Sequence, residues 1–248
     1  MLENNEEKNN EEVKEEAEVK KETTVEDNET KKEGSIDTEK LKSETSNTVS
    51  QVKDTIKNVN IKEDSLETKN FVVEMFTKPV EKIKEVVEDS TQKTLKYAII
   101  IFAVWVIISV LKRCFGGIFI LPGGTAIWEL TKAIITPALV ILVTSVIILM
   151  LSKENKKSLT TIISTITIAN TPLVISAIIT TLNYIGAEVY KITSPISSFC
   201  SVITTVLTYF AVKYLLDKED NEAIKSFAIV EIFYLIVAFA ISFLGLYI

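Results

Sequence analysis

Four residues set into or beside apolar stretches of the sequence could carry chemistry there: Asn170, Pro172, Lys213 and Glu231. Asn170 and Pro172 interrupt one uncharged run, where Pro172 removes a helical hydrogen bond and frees the carbonyl of Ile168. These groups could bind a ligand or an ion at a broken helix. The alternative, which we favour, is a kink whose freed groups bond to threonine side chains and to a neighbouring helix.

Glu231 is the one acid in the last apolar run, and Lys213 lies near the end of the run before it. A carboxylate inside a membrane is a functional candidate by default. Pairing with Lys213, which we place at a comparable depth, is an equally good interpretation. A proton relay would need a second intramembrane acid or a histidine, and the chain contains no histidine.

We find no pattern typical of a catalytic, cofactor or metal site. Two cysteines without histidine cannot build a zinc site, and the glycine-rich segment lacks the Gly-Lys-Ser/Thr of a phosphate-binding loop. We therefore expect no enzyme activity, no cofactor and no metal. Cys114 and Cys200 are expected toward the same outer face as two inert thiols, although pairing between them stays open.

The elements that position these residues are apolar runs long enough to cross a bilayer. About 20 helical residues span a hydrocarbon core of about 30 Å, and flanking lysines shorten this requirement. The intervening residues Cys114 to Lys132 hold four of the seven glycines and are expected in the interface, anchored by Phe115, Phe119 and Trp128. Five spans are predicted, at about residues 97–111, 133–151, 159–182, 196–216 and 226–248.

The residues before the spans differ in composition. Up to Lys96 there are 25 acidic and 17 basic residues, a net charge of −8, and residues 1–70 contain no aromatic side chain. We predict that residues 1–70 form a disordered acidic cytoplasmic tail, because so little apolar surface cannot offset the entropy of folding. Val49, Val52, Ile56 and Val59 recur at a coiled-coil-like spacing, so a transient helix is the alternative.

Residues 71–96 are predicted to be an amphipathic juxtamembrane region. Between Lys78 and Asp89 the apolar residues fall on one helical face, with Pro79 tolerated in the first turn. This helix lies on the membrane surface or, as its mixed charge favours, against the transmembrane bundle. The predicted fold is therefore all-α: a five-helix transmembrane bundle preceded by an amphipathic helix and a long disordered tail.

Lysine and arginine near the span ends predict the orientation. With the tail inside, ten basic residues flank the inner ends and four flank the outer ends. The start of the sequence lacks the pattern of a signal peptide or a myristoylation site. We expect a multi-pass protein of the cell membrane with a cytoplasmic N-terminus and the C-terminus outside.

Hydroxylated residues recur on two predicted spans and indicate a packing seam rather than a pore lining. The stripe on the third span is Thr160, Ser164, Thr167 and Thr171, and the stripe on the fourth span is Ser197, Ser201, Thr204 and Thr208.

This organisation resembles the bacterial branch of the Yip family, whose eukaryotic members interact with Ypt/Rab GTPases. The resemblance covers residues 71–248 and rests on the five spans, the Phe76-Thr-Lys-Pro-Val-Glu segment and Ala169-Asn-Thr-Pro-Leu173. The Asp-Leu-Tyr-Gly-Pro signature of the eukaryotic tail and the zinc ribbon of many bacterial members are absent from the sequence. The resemblance implies a membrane location and no defined activity, and Rab binding does not carry over.

The expected function is that of a non-enzymatic membrane protein that organises or recruits partners at the bacterial cell membrane. Its partners are the lipid bilayer and unidentified proteins that bind through the tail, with no nucleic acid, and a homo-oligomer is an alternative assembly. The rival hypothesis is a small transporter or ion-conducting oligomer that uses Asn170, Pro172 and Glu231.

Overall fold

The computed structural model of the chain describes residues 38–89, 92–117, 121–152, 157–186 and 188–243. The chain divides into two compact units, Met1–Ser43 and Glu44–Ile248. Only residues 38–43 of the first unit are described, so the contacts below are those of the second unit. Within the described ranges the structure is helical and contains no strand.

The described helices follow one another with short connections. The helix Gln92–Phe115 is followed by two glycines whose amides bond back to the carbonyls of Lys112 and Cys114, and Gly117 adopts a φ of 88°. A short 3₁₀ helix, Leu182–Ile185, follows the helix Thr171–Thr181. The α-helices are α1 Thr38–Lys57, α2 Ile61–Thr77, α3 Pro79–Glu88, α4 Gln92–Phe115, α5 Gly123–Leu151, α6 Leu159–Ala169, α7 Thr171–Thr181, α8 Tyr190–Leu215 and α9 Asp220–Phe243.

Five helical segments of the described chain are long and apolar enough to cross a bilayer, as predicted, and the chain is a multi-pass membrane protein. They are Gln92–Phe115, Gly123–Leu151, Leu159–Ile185, Tyr190–Leu215 and Asp220–Ala240. The third span is 67% buried against 17% for the fifth, so the third lies at the centre of the bundle. It packs on α4, α5 and α8, with Ile162, Ile166 and Ile168 fully enclosed.

Helix α3 covers one end of this bundle. Pro79 occupies its first turn, and Ile83, Val86 and Val87 recur on one face at helical spacing. These three side chains are 0 to 3% exposed and belong to the same core as α6 and α8, which α3 contacts. The predicted amphipathic helix is therefore present, and it packs on protein, which was the favoured alternative.

The span boundaries differ from the prediction at several ends. The helix of the first span begins at Gln92 rather than at residue 97, and the helix of the second span begins at Gly123 rather than at residue 133. An apolar run marks only the part of a helix that lies in the hydrocarbon core. The helical backbone hydrogen bonds continue into polar turns at the membrane interface. The segment Cys114 to Lys132 is thus partly helical; Phe119 lies outside the described residues, and Phe115 and Trp128 are 62% and 45% exposed.

The predicted disorder of residues 1–70 is wrong for its second half. Residues 1–37 lie outside the described part, but α1 and most of α2 fall within residues 38–70. The amino-acid composition does not predict these helices because part of their buried surface is polar. Asp64 and Thr68 are buried on α2, and Thr48 and Thr55 are buried on α1. Thr160 of the third span donates a 2.7 Å hydrogen bond to Gln51 on α1.

Candidate functional site

Asn170 joins the two halves of the third span, α6 and α7. Its side-chain amide donates to the Ile166 carbonyl at 2.7 Å, and its own carbonyl accepts from the backbone N–H of Leu173 at 3.0 Å. Asn170 is 6% exposed and ends one helix while it begins the next. The amide therefore closes a local break in the helix, rather than the interhelical contact that we expected.

The carbonyl that Pro172 frees also has a partner within the span. The Thr171 hydroxyl donates to the Ile168 carbonyl at 2.6 Å, one turn back along the chain. A buried carbonyl without a partner would cost about 1–3 kcal/mol, so this hydroxyl removes most of that penalty. These bonds are the ones expected of a structural kink at Asn170 and Pro172.

Lys213 does not pair with Glu231. It donates to Asp220 at the start of α9, and the Tyr209 hydroxyl donates to the same carboxylate oxygen at 3.2 Å. A tight turn between α8 and α9, with Asp217 at a φ of 49°, brings Asp220 close to Lys213. Asp220 lies only seven residues from Lys213, and the turn places it within hydrogen-bond reach. The similar membrane depth of Lys213 and Glu231, on which we based their pairing, does not bring these two side chains together.

Glu231 is partly buried on α9 and has no hydrogen-bond or ion-pair partner for its carboxylate among the described residues. Its helix packs against α5 and α8, and Tyr234 lies one turn further along the same helix. A charged carboxylate is costly in such surroundings unless it reaches water, a cation or a proton. Of the candidate residues identified in the sequence, Glu231 is the one whose polar group has no bonding partner among the described residues.

Four of the eight hydroxyl groups in the two predicted stripes donate to carbonyls of their own span, and Ser164 is buried without a hydrogen-bond partner in the described residues. Thr167 donates to the Ile163 carbonyl at 2.7 Å, and Thr204 donates to the Cys200 carbonyl at 3.0 Å. A 2.7 Å hydrogen bond between Ser176 and Ser197 joins the third and fourth spans. Ser197 belongs to the predicted stripe of the fourth span, whereas Ser176 lies outside the predicted stripe of the third.

Both cysteines are free thiols, as expected. Cys114 is partly buried at the end of α4, and Cys200 is buried in α8. Because α8 begins at Tyr190, Cys200 lies ten residues into the helix, about 15 Å along its axis. Cys200 is therefore well inside the fourth span rather than near its end. The described residues contain no cluster of three or more metal-ligating side chains.

Sequence reasoning missed the contacts that fix α2 on the bundle. Lys96 lies 3.2 Å from both carboxylate oxygens of Asp64, and the Phe71 ring stacks on Tyr97 with centroids 4.7 Å apart. The Asp64 carboxylate also accepts the Asn60 backbone N–H at 2.7 Å, which caps the start of the helix. The signal was present in the sequence as a stripe at helical spacing: Asp64, Thr68, Phe71 and Met75.

A second ion-pair group links α2 to α3. Lys82 bridges Glu74 at 2.7 Å and Glu85 at 2.8 Å, and its ammonium lies 5.8 Å from the centre of the Phe71 ring. The hydrogen bonds that Lys82 donates to Glu74 and Glu85 raise the pKa of Lys82 above 10.5. The hydrogen bond from Lys82 lowers the pKa of Glu74 below 4.5.

The opposite end of the first span carries a basic cluster. Glu129 accepts from Arg113 at 2.9 Å and from Lys132 at 2.7 Å, which joins α4 to α5. Lys112 points elsewhere and donates to the Thr180 hydroxyl of α7 at 3.2 Å. In the sequence these basic residues indicated only the orientation of the spans, and their clustering around Glu129 was not predicted.

No family model, no curated protein and no solved structure matches the chain.

Proposed function

We propose that the chain is a non-enzymatic membrane protein that recruits or organises protein partners at the bacterial cell membrane. The observation that carries the proposal is the outward face of α2. Leu66 and Val73 on that face are 60% and 57% exposed, whereas Phe71 and Met75 on the opposite face are 7% and 1% exposed. A helix held by one face and apolar on the other presents a preformed surface to a partner helix.

The charge on α2 supports a partner of defined chemistry. Three of its acids form ion pairs with lysines of α3 and α4: Asp64 with Lys96, Glu67 with Lys93 and Glu74 with Lys82. Lys62 and Lys69 alternate with the apolar residues of the outward face at helical spacing. We therefore propose an acidic, amphipathic protein segment as the partner.

Helix α1 adds a second exposed apolar stripe. Thr48 and Thr55 are buried on one face, while Val49 and Ile56 are 60% and 55% exposed. Two of the four residues in the stripe noted in the sequence, Val49 and Ile56, are thus exposed, whereas Val52 and Val59 are half-buried. The Thr48 hydroxyl contacts Thr160 of the third span. Both helices would recruit from the side of the membrane on which the N-terminal residues lie.

The orientation is part of the proposal. Ten lysines flank the ends that we assign to the cytoplasm, and four basic residues flank the other ends. The tail would then be cytoplasmic and the C-terminus outside. The resemblance to the bacterial Yip branch also stays a proposal, supported by the five spans and the proline in the third.

Site-specific photo-crosslinking in cells tests recruitment. A photoreactive residue at Leu66 should give a discrete protein adduct, and Val73→Glu in the same chain should abolish it. A probe at Lys84, an exposed polar position on α3, is the matched control and should give no such adduct. Adducts at Leu66 that consist only of lipid, or that persist in Val73→Glu, would contradict the proposal.

A transporter is the second candidate, and Glu231 is the observation that favours it. A carboxylate without a described partner in a span of the membrane could bind and release a proton or a cation. Asn170 and Pro172 add little support, because their polar groups are bonded within the third span. We therefore rank recruitment above transport.

A further inference from the structure

Lys112 is a cation without a matching anion near the end of the first span. Its ammonium donates to the Thr180 hydroxyl at 3.2 Å, and no carboxylate lies within ion-pair distance in the described residues. Thr180 already donates to the Ser176 carbonyl at 2.8 Å, so its oxygen serves Lys112 only as an acceptor. At least two N–H donors of Lys112 are left for another group.

The surrounding charge does not neutralise Lys112. Glu129 is shared by Arg113 and Lys132, and the exposed Glu188 pairs with Lys191. This end of the described chain therefore holds four cations, Lys112, Arg113, Lys132 and Lys191, and two anions, Glu129 and Glu188. Its net charge is +2. A partly buried ammonium that lacks a counter-ion costs free energy, so an anion from outside the chain would be stabilised here.

The neighbouring side chains suit a ligand at the level of lipid headgroups. Phe115 and Tyr184 lie beside this turn of α4, with ring centroids 6.2 Å apart and exposed fractions of 62% and 50%. A Cβ atom on Gly116 would lie 3.2 Å from the Tyr184 hydroxyl, so the glycine lets that hydroxyl approach the backbone of α4. Exposed aromatic rings of this kind are typical of the membrane interface.

We propose that Lys112, Thr180 and Tyr184 form a binding site for a phosphate-bearing anion. The ammonium and the Tyr184 hydroxyl donate hydrogen bonds to non-bridging phosphate oxygens, while Thr180 holds the lysine in position. Arg113 adds positive charge next to the site through the guanidinium N–H donors that Glu129 does not occupy. A phospholipid headgroup and free inorganic phosphate share this chemistry, and the test separates them.

The site is independent of the proposed recruitment surface, since it lies at the other end of α4 from α2. The test uses the full chain, purified in a mild detergent and stripped of lipid. Phosphatidylglycerol, diacylglycerol with the same acyl chains, and inorganic phosphate are titrated separately. Bound ligand is counted by native mass spectrometry, and the thermal unfolding midpoint is recorded in parallel.

We expect phosphatidylglycerol to bind saturably and diacylglycerol to bind at least about tenfold more weakly, because only the former offers charge-assisted hydrogen bonds. Lys112→Gln should lower the affinity for phosphatidylglycerol about tenfold, whereas Lys112→Arg should largely retain it. Lys191→Gln removes the same charge at the same end from an exposed, paired position and is the matched control. It should change the affinity by less than about twofold.

Saturable binding of inorganic phosphate that Lys112→Gln abolishes would support the same site with a soluble source. Equal affinity of wild type and Lys112→Gln for both phosphate ligands would overturn the proposal. If Lys112→Gln does not fold, the wild type decides alone: equal stabilisation by phosphatidylglycerol and diacylglycerol, with no effect of phosphate, also overturns it.

Discussion

The Lys96 ammonium lies 3.2 Å from both carboxylate oxygens of Asp64, and this ion pair joins helix α2 to the start of the first span across 32 residues of sequence. The side chains of Asp64 and Lys96 are 12% and 25% exposed, so the pair is only partly screened by water. Together with the stacking of Phe71 on Tyr97, it determines which face of α2 remains available to a partner.

Replacing Asp64 with Asn should loosen α2 by about 2 kcal/mol, a value between those of surface and buried ion pairs. Hydrogen exchange of the α2 amides should accelerate, while exchange in α6 stays unchanged. Glu63→Gln is the control, because Glu63 is exposed and, among the described residues, accepts only from the Asn60 side chain. Unchanged exchange in Asp64→Asn would show that the ion pair does not hold the helix.

Phe71→Ala and Val73→Ala form a matched pair on opposite faces of α2. Phe71→Ala removes a buried ring and should destabilise the docked helix by about 3 kcal/mol. Val73→Ala removes exposed atoms and should change stability by less than about 0.5 kcal/mol. Limited proteolysis between α1 and α3 measures both effects, and similar cleavage rates for the two variants would mean that the assigned packing face is wrong.

The Glu74–Lys82 contact predicts a broad pH window. The pKa of Glu74 is lowered in the folded protein, so the stability that its carboxylate contributes is fully present above pH 4.5. That contribution is lost as the pH falls through the lowered pKa of the folded state. The pKa of Lys82 is raised in the folded protein, so the stability that its ammonium contributes is fully present below pH 10.5. That contribution is lost as the pH rises through the raised pKa of the folded state. The stability difference between wild type and Lys82→Gln should therefore stay constant between about pH 5 and 10. Thermal unfolding across that range checks this, and a difference that varies steeply near neutral pH would speak against the contact.

The break in the third span should tolerate loss of the Asn170 amide better than loss of the Thr171 hydroxyl. Asn170→Leu removes one hydrogen bond to the Ile166 carbonyl and should cost about 1 kcal/mol. Thr171→Val leaves the buried Ile168 carbonyl short of a donor and should cost about 2 kcal/mol. Unfolding midpoints in detergent rank the two variants. A larger loss for Asn170→Leu would indicate a role for the amide beyond its own helix.

Hydropathy predicts the five spans because every transmembrane helix must hide its backbone and present apolar side chains to lipid. It places the centre of each span well and its ends less well. Gln92 to Lys96 and Gly123 to Lys132 are helical although polar or glycine-containing, since their side chains pair locally or reach the interface. These extensions depend on tertiary contacts that a sliding window does not contain.

Of the helices before the spans, α2 was not predicted and α1 was predicted only as a transient alternative, for a related reason. Their stability comes from pairs far apart in sequence, such as Asp64 with Lys96 and Thr160 with Gln51, rather than from local apolar content. The same limit applies to the site residues. Asn170 and Pro172 were recognisable as a helix break, but the partner of Lys213 was determined by a turn that placed Asp220 beside it.

Proton and cation flux in liposomes tests most directly whether the chain recruits partners or transports ions. Purified wild type and Glu231→Gln are reconstituted at equal density, and the flux is followed under an imposed pH or cation gradient. We predict no flux above that of empty liposomes for either protein, and the Leu66 crosslink should persist in Glu231→Gln. Robust flux in the wild type that vanishes in Glu231→Gln would contradict the recruitment proposal and identify the Glu231 carboxylate as part of a transport pathway.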